Sequence, residues 1–154
     1  MLLKDYFPNL HKKYHEVSFK GIAFNSKEVR EGYIFFAFKG NNTDGNFFIK
    51  NAIKNGSKII ITDKFKINGW KNNILFLNDN NPRNLLAKFS SKIFNKKPDN
   101  LIGVTGTNGK SSIANFYFQI LTLNRIKAAS IGTLGVNGLK VKKIFQILLL
   151  ILSK

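Results

Sequence analysis

The residues best suited to chemistry form the run Gly103-Val-Thr-Gly-Thr-Asn-Gly-Lys-Ser-Ser112. Glycines let backbone N–H groups turn inward and approach an anion closely. A helix beginning just after them adds unpaired N–H groups and a positive dipole end, favourable to an anion by ~0.3–2 kcal/mol. Lys110 is then placed to reach terminal phosphates, and the Ser111 hydroxyl to ligate Mg2+. Gly106, Thr107, Asn108, Gly109, Lys110, Ser111 and Ser112 therefore make a candidate ATP site, with Ser111 as the metal ligand. The strict Walker pattern asks for a further glycine where this chain has Val104, although Gly103 and Gly106 keep the bend supple. The plain alternative is a glycine turn capped by a serine helix start. A Gly-Lys-Ser step between an apolar strand and an amphipathic helix favours phosphate binding.

Such a loop needs a strand before it and a helix behind it. Leu101-Ile-Gly-Val-Thr105 supplies an apolar segment expected to be a strand, and Ile113, Phe116, Ile120 and Leu121 recur on one side of an expected helix. A second strand is expected near Lys127-Ala-Ala-Ser-Ile131. Upstream, Tyr33-Ile-Phe-Phe-Ala-Phe38 and Lys58-Ile-Ile-Ile-Thr62 read as buried strands. Between them Phe47, Phe48, Ala52 and Ile53 follow helical spacing, closed by Gly56. Asn81-Pro82 reads as an N-cap with proline in the first turn, followed by the stripe Leu85, Leu86, Phe89, Ile93. Strand, helix, strand, helix predicts an α/β fold with at least partly parallel pairing. The polar stretch Asn95-Lys-Lys-Pro-Asp-Asn100 marks a boundary. The expected division is 1–99, 100–138 and a tail over 139–154.

Composition excludes several classes. The 154 residues suffice for one ordinary domain or two small ones. Hydrophobic residues at 44% and charged residues at 21% are near globular averages. The absence of cysteine removes disulfides, thiolate zinc sites and cysteine nucleophiles. A net charge of +17 suggests nucleic acid, but 22 lysines against 3 arginines, scattered rather than massed, argue for AT-rich codon drift instead. No nucleic-acid partner is expected. Asp5 and the lack of a sustained apolar N-terminal stretch make a secretory signal unexpected, so the cytoplasm is the default. Ile147-Leu-Leu-Leu-Ile-Leu152 falls far short of the ~18–20 residues that span a bilayer. No membrane association is expected, and a monomer is the default oligomeric state.

The phosphate-loop form Gly-Thr-Asn-Gly-Lys-Ser, without the first Walker glycine, resembles that of the Mur ligases, the ATP-dependent enzymes that build the peptide of the peptidoglycan precursor. The run Asn25-Ser-Lys-Glu-Val-Arg-Glu-Gly32, then Ile34 to Gly40, Asp44-Gly45, Phe48, Ala52 and Gly56, is similar to the UDP-sugar-binding domain of the members adding the third residue or the terminal dipeptide. Ser130-Ile-Gly-Thr-Leu-Gly135 resembles the third-residue branch. The resemblance covers about residues 17–137. It implies a small UDP-sugar-binding α/β domain followed by the truncated start of a P-loop parallel-sheet domain. It also implies an activity: diaminopimelate or lysine is joined to UDP-MurNAc-L-Ala-D-Glu through an acyl phosphate, with ATP and Mg2+ as cofactors.

Carried over by motif, Ser26 matches the serine that bonds the uridine nucleotide, with Phe24 in the apolar position before it. Asn41, Asn42 and Thr43 match the loop that contacts the UDP moiety. Asn25-Ser26-Lys27 stands where Asp-Ser-Arg is usual, so a guanidinium fork is replaced by an ammonium. Ser26 also reads as an ordinary strand-end serine, and Asn41-Asn42-Thr43 as a polar turn. Asn80-Asn-Pro-Arg83 resembles a diaminopimelate-reading motif of the family's third domain, but it precedes the phosphate loop and is expected to be coincidental. The family's remaining ATPase domain and acceptor domain have no counterpart here, and the 139–154 tail matches nothing in the family. Catalysis by this chain alone is not expected. A noncatalytic nucleotide-binding module that needs a partner chain, or a dipeptide-adding ligase, remain the alternatives.

Overall fold

The computed structural model describes residues 1–40, 43–64, 66, 68–95 and 98–138. The chain divides into two compact units, Met1–Ile93 and Phe94–Lys154.

The first unit is built on a sheet of five strands in the order β1-β2-β3-β5-β4. β1 (Gly21–Ala23), β2 (Tyr33–Ala37), β3 (Ile59–Thr62) and β5 (Ile74–Asn78) run parallel, and β4 (Gly69–Lys71) closes one edge antiparallel to β5. Parallel strands are covered on both faces, which is why Ile34-Phe-Phe-Ala37 and Ile59-Ile-Ile-Thr62 are unbroken buried runs.

Successive strand residues point to opposite faces, so β2 shows what covers each. Phe35 and Ala37 pack with Ile60, Val29 and Ala23 against Ala52 of α1 (Ile49–Lys54). Phe36 meets Phe89 of α2 (Pro82–Ile93) edge-on, with ring centres 5.4 Å apart. Phe89 also touches Tyr6 and Phe19 at 5.1 and 5.8 Å. The two helices thus lie on opposite faces of one sheet. The α2 stripe forms as its spacing predicts, with Asn81 Oδ1 accepting from the Asn84 amide as the N-cap.

Three elements differ from the sequence-based expectation. The Phe47–Ile53 helix is split into a 3-10 turn, Gly45–Phe48, and α1. The Asp44 carboxylate caps the turn through the Asn46 amide, and Phe47 ends 82% exposed rather than in the apolar stripe. The β4–β5 hairpin was not expected. Its two-residue turn is Asn72-Asn73, both at positive φ (49° and 61°), the arrangement that matches the strand twist.

The third difference lies in the second unit. Leu101–Thr105 is not a strand. A strand requires a partner for its N–H and C=O row, and none of the described residues pairs with this segment. The expected start of a parallel sheet is replaced by an antiparallel hairpin of β6 (Ser130–Gly132) and β7 (Gly135–Asn137). The helix α3 (Lys110–Leu123) forms where its pattern predicts, but Ile113, Phe116 and Ile120 are exposed. The tail after Gly138 lies outside the described residues.

Candidate functional site

The phosphate-loop residues sit on a bend whose backbone only glycine adopts easily. Gly106 has φ 142° and Gly109 has φ 75°, and Gly109 is the residue from which α3 departs. No side chain caps α3 and no acid lies in its first turn. The positive end of the helix therefore faces the bend without a competing carboxylate.

Lys110 folds back over this bend. Its ammonium donates to the carbonyls of Gly106 at 2.5 Å and Thr107 at 2.9 Å. The Ser111 hydroxyl lies 2.8 Å from that of Thr133, in the turn joining β6 and β7. A shallow crevice between α3 and this hairpin is lined by Ser111, Asn115, Ser130, Thr133 and Asn137. Gly106, Thr107, Asn108, Gly109 and Ser112 complete the same exposed arch. Sequence reasoning assigned no role to Thr133, although the run Ser130–Gly135 carrying it stood out.

The uridine candidates belong to the first unit. Ser26 opens a 3-10 turn, Ser26–Glu28, just beyond the carboxyl end of β1. It is only 7% exposed, its carbonyl accepts from Asn55 Nδ2 at 2.8 Å, and no described residue bonds its hydroxyl. Asn25 Oδ1 accepts from the Lys27 amide and fixes that turn. Phe24, half-buried, precedes it. Thr43 follows β2 in the same sense, its carbonyl accepting from the Gly40 amide at 2.8 Å. Since β1 and β2 are parallel neighbours, Ser26 and Thr43 lie off the same carboxyl edge, where open parallel sheets bind ligands. Asn41 and Asn42 lie outside the described residues.

Behind Thr43, Asp44 Oδ1 accepts from Asn46 N at 2.9 Å and from Asn46 Nδ2 at 2.8 Å, and Lys64 pairs with Asp44 Oδ2 at 3.3 Å. The two bonds from Asn46, then the ammonium, hold the Asp44 carboxyl below the usual carboxylate range. Nothing in the sequence beyond a turn signal marked this cluster.

Comparison with known proteins decides what the two sites have in common. The family described as "Mur ligase family, catalytic domain" matches residues 18–93. A UDP-N-acetylmuramoyl-L-alanyl-D-glutamate–2,6-diaminopimelate ligase of Rickettsia montanensis is 44% identical over 128 residues, 83% of this chain and 26% of that protein. The ligase of the same name from Brucella melitensis is 38% identical, over 79% of this chain and 25% of its own length. This chain belongs to the Mur ligase family.

As a Mur ligase chain it corresponds to the N-terminal part, about a quarter of the length of these relatives. A solved structure of a UDP-N-acetylmuramoyl-L-alanyl-D-glutamate–2,6-diaminopimelate ligase superposes with TM-score 0.68 over 92% of this chain and 29% of that one, at 22% identity, which shows the shared fold. The MurF ligase of Thermotoga maritima in complex with ADP superposes with TM-score 0.50 at 31% identity, over 68% of this chain and 23% of that one. Among the described residues no helix is long and apolar enough to cross a membrane, and no cluster of His, Asp or Glu is placed to hold a metal. The Ser111 hydroxyl in the first turn of α3 is a hard oxygen. That hard ligand suits Mg2+, which keeps waters and takes its other oxygens from phosphate.

Proposed function

We propose that this Mur ligase chain serves ATP-dependent addition of diaminopimelate to UDP-MurNAc-L-Ala-D-Glu, with the first unit gripping the uridine diphosphate and the second the ATP phosphates. One observation carries the reading. Gly106 and Gly109 hold positive φ around a bend that leads directly into α3, with Lys110 over the bend and Ser111 in the first turn. A glycine bend that leads into a helix N-terminus beside a lysine is suited to binding the phosphates of a nucleotide. The diaminopimelate ligases among the relatives favour that amine over lysine.

In this reading Lys110 exchanges its contacts with the Gly106 and Thr107 carbonyls for contacts with the β- and γ-phosphates. Ser111 would hold Mg2+, with Thr133 orienting its hydroxyl. Thr107, Asn108 and Ser112 line the arch. In the first unit Ser26 would offer its hydroxyl, Phe24 an apolar wall, and Asn41, Asn42 and Thr43 polar groups to the uridine diphosphate. Bound ATP supplies the phosphoryl group that activates the substrate carboxylate. The chain's own residues bind and orient the two nucleotides, which is where positional catalysis starts. A protein that works in this way acts in the cytoplasm, where both nucleotides are available.

The test is calorimetric titration of the chain with Mg-ATP and, separately, with UDP-MurNAc-L-Ala-D-Glu. Saturable one-to-one binding of both is expected. Binding of neither would overturn the reading. A second reading, a noncatalytic nucleotide-binding module that docks on a partner chain, is favoured by the exposed apolar side chains Ile113, Phe116 and Ile120 of α3. Stoichiometric copurification with a separate polypeptide would support it.

A further inference from the structure

The sequence holds four Asn-Gly steps, Asn55-Gly56, Asn68-Gly69, Asn108-Gly109 and Asn137-Gly138. At such a step the glycine backbone nitrogen can attack the asparagine side-chain carbonyl carbon, since no glycine side chain stands in its way. A new C–N bond closes a succinimide ring, and the Cγ–Nδ2 bond breaks with loss of ammonia. Water then adds to one of the two ring carbonyls and opens the ring to aspartate or isoaspartate. The reaction asks three things of the fold: a free side-chain amide, a glycine N–H without an acceptor, and room for the peptide to turn.

Three of the four steps are held against it. Asn55 Nδ2 donates to the Ser26 carbonyl at 2.8 Å, and the Gly56 amide donates to the Ile53 carbonyl at 2.9 Å. Asn68 Oδ1 accepts from the Asn78 amide at 2.6 Å, and Gly69 belongs to β4, opposite Phe76. Asn137 lies in β7 opposite Ser130, and its Nδ2 reaches the Ser130 hydroxyl at 3.5 Å. A Cβ on Gly138 would run into the Ala128 carbonyl and the Ala129 Cα, so that peptide is hemmed in.

Asn108-Gly109 is open on every count. Both residues are exposed, and no described residue bonds the Asn108 side chain or the Gly109 amide. A Cβ on Gly109 would meet nothing within 4 Å. The attacking species is the deprotonated amide nitrogen, and Gly109 stands at the N-cap of α3. There the positive end of the helix and the Lys110 ammonium over the bend favour negative charge.

We propose that Asn108 is a modification site at which the chain converts itself to aspartate and isoaspartate, and that a nucleotide bound on the bend blocks the conversion. The second half rests on the phosphate reading given above, in which phosphate oxygens accept from the Gly109 amide and take the nucleophile out of reach. The product sets a carboxylate where that reading puts phosphates, so like charges meet. Isoaspartate also adds a carbon to the backbone between the bend and α3. A chain without nucleotide therefore loses its anion site with time, whereas a liganded one keeps it.

The test incubates the full chain at mildly alkaline pH, with and without saturating Mg-ATP, and maps its peptides by mass spectrometry at intervals. Asn108 is expected to convert ahead of Asn55, Asn68 and Asn137, and Mg-ATP to slow Asn108 alone. Gly109→Ala, whose Cβ has room, should slow Asn108 and leave the other three unchanged. Asn108→Asp, the aspartate product, should bind Mg-ATP about 10-fold more weakly than the unaltered chain. Conversion first at another of the four steps, or at equal rates in all of them, would overturn the inference. Equal Asn108 rates with and without Mg-ATP would remove the nucleotide block. Calorimetry of the same samples then separates the two causes: a chain that binds no nucleotide overturns the phosphate reading and leaves the modification site standing.

Discussion

The hydroxyls of Ser111 and Thr133 lie 2.8 Å apart, which ties the first turn of α3 to the turn between β6 and β7. A hydroxyl that must present its oxygen to a cation is best held by a second group that takes its proton. Thr133→Val removes that group at constant volume and is expected to weaken Mg-nucleotide binding roughly 2- to 10-fold, with Thr133→Ser retaining it. Titration with ATP at fixed Mg2+ reads the difference. Equal affinities for the valine and serine variants would mean that Thr133 does not orient Ser111.

Lys110 tests the loop more severely. Its contacts with the Gly106 and Thr107 carbonyls place the ammonium over the bend. Hydrogen bonds to charged groups contribute about 1.5–3 kcal/mol, so Lys110→Met should weaken Mg-ATP binding about 10- to 100-fold. UDP-precursor binding should not move. A variant that binds ATP normally would remove the phosphate assignment.

Two glycines separate backbone strain from steric clash. A Cβ on Gly109 would meet nothing within 4 Å, so Gly109→Ala has only its φ of 75° to contend with, a cost of ~1–2 kcal/mol. A Cβ on Gly56 would stand 2.8 Å from the Glu31 Cα, and the φ there is 100°. Gly56→Ala is expected to cost about 3 kcal/mol or more. Trp70, the single tryptophan, sits on β4 and reports the first unit. Its urea transition should fall sharply in Gly56→Ala and stay in place in Gly109→Ala.

How legible the molecule was depended on the range of the forces involved. β2 and β3 could be read because strands buried on both faces must be continuous apolar runs, and α2 because Leu85, Leu86 and Phe89 repeat at helical spacing. β1 was hidden in three residues, Gly21–Ala23, whose only distinction is the β2 backbone beside them. Leu101–Thr105 had strand composition but no partner among the described residues, and composition cannot supply one. The glycine bend leading into α3 was legible because its signal is local, with glycines, lysine and serine in one run. The Thr62–Asn46 bond spans 16 residues and exists only once β3 is in register, so no local pattern announced it. For Lys27 the loss of the usual guanidinium was plain in the sequence, and the structure adds only that its amide is held by Asn25.

The Asp44 carboxylate should make the first unit acid-sensitive in a defined direction. The two bonds from Asn46 and the nearby Lys64 ammonium lower its folded pKa, whereas the unfolded group titrates near ~3.9. A depressed folded value means that the ionised form is favoured by folding. The stabilisation is therefore fully present above about pH 4–5 and is lost as pH falls through the folded value. Below that point the protonated carboxyl gives up its ion pair with Lys64 and part of its hold on Asn46. Asp44→Asn removes the titration but keeps an oxygen to accept from the Asn46 amide. Urea midpoints followed by Trp70 fluorescence from pH 7 to pH 3 are expected to show the unaltered chain ahead of Asp44→Asn at neutral pH. The gap should close on the acid side. Other carboxylates titrate alike in both chains and cancel in the difference. A gap that stays constant down to pH 3 would show that Asp44 is not held in its ionised state by these partners.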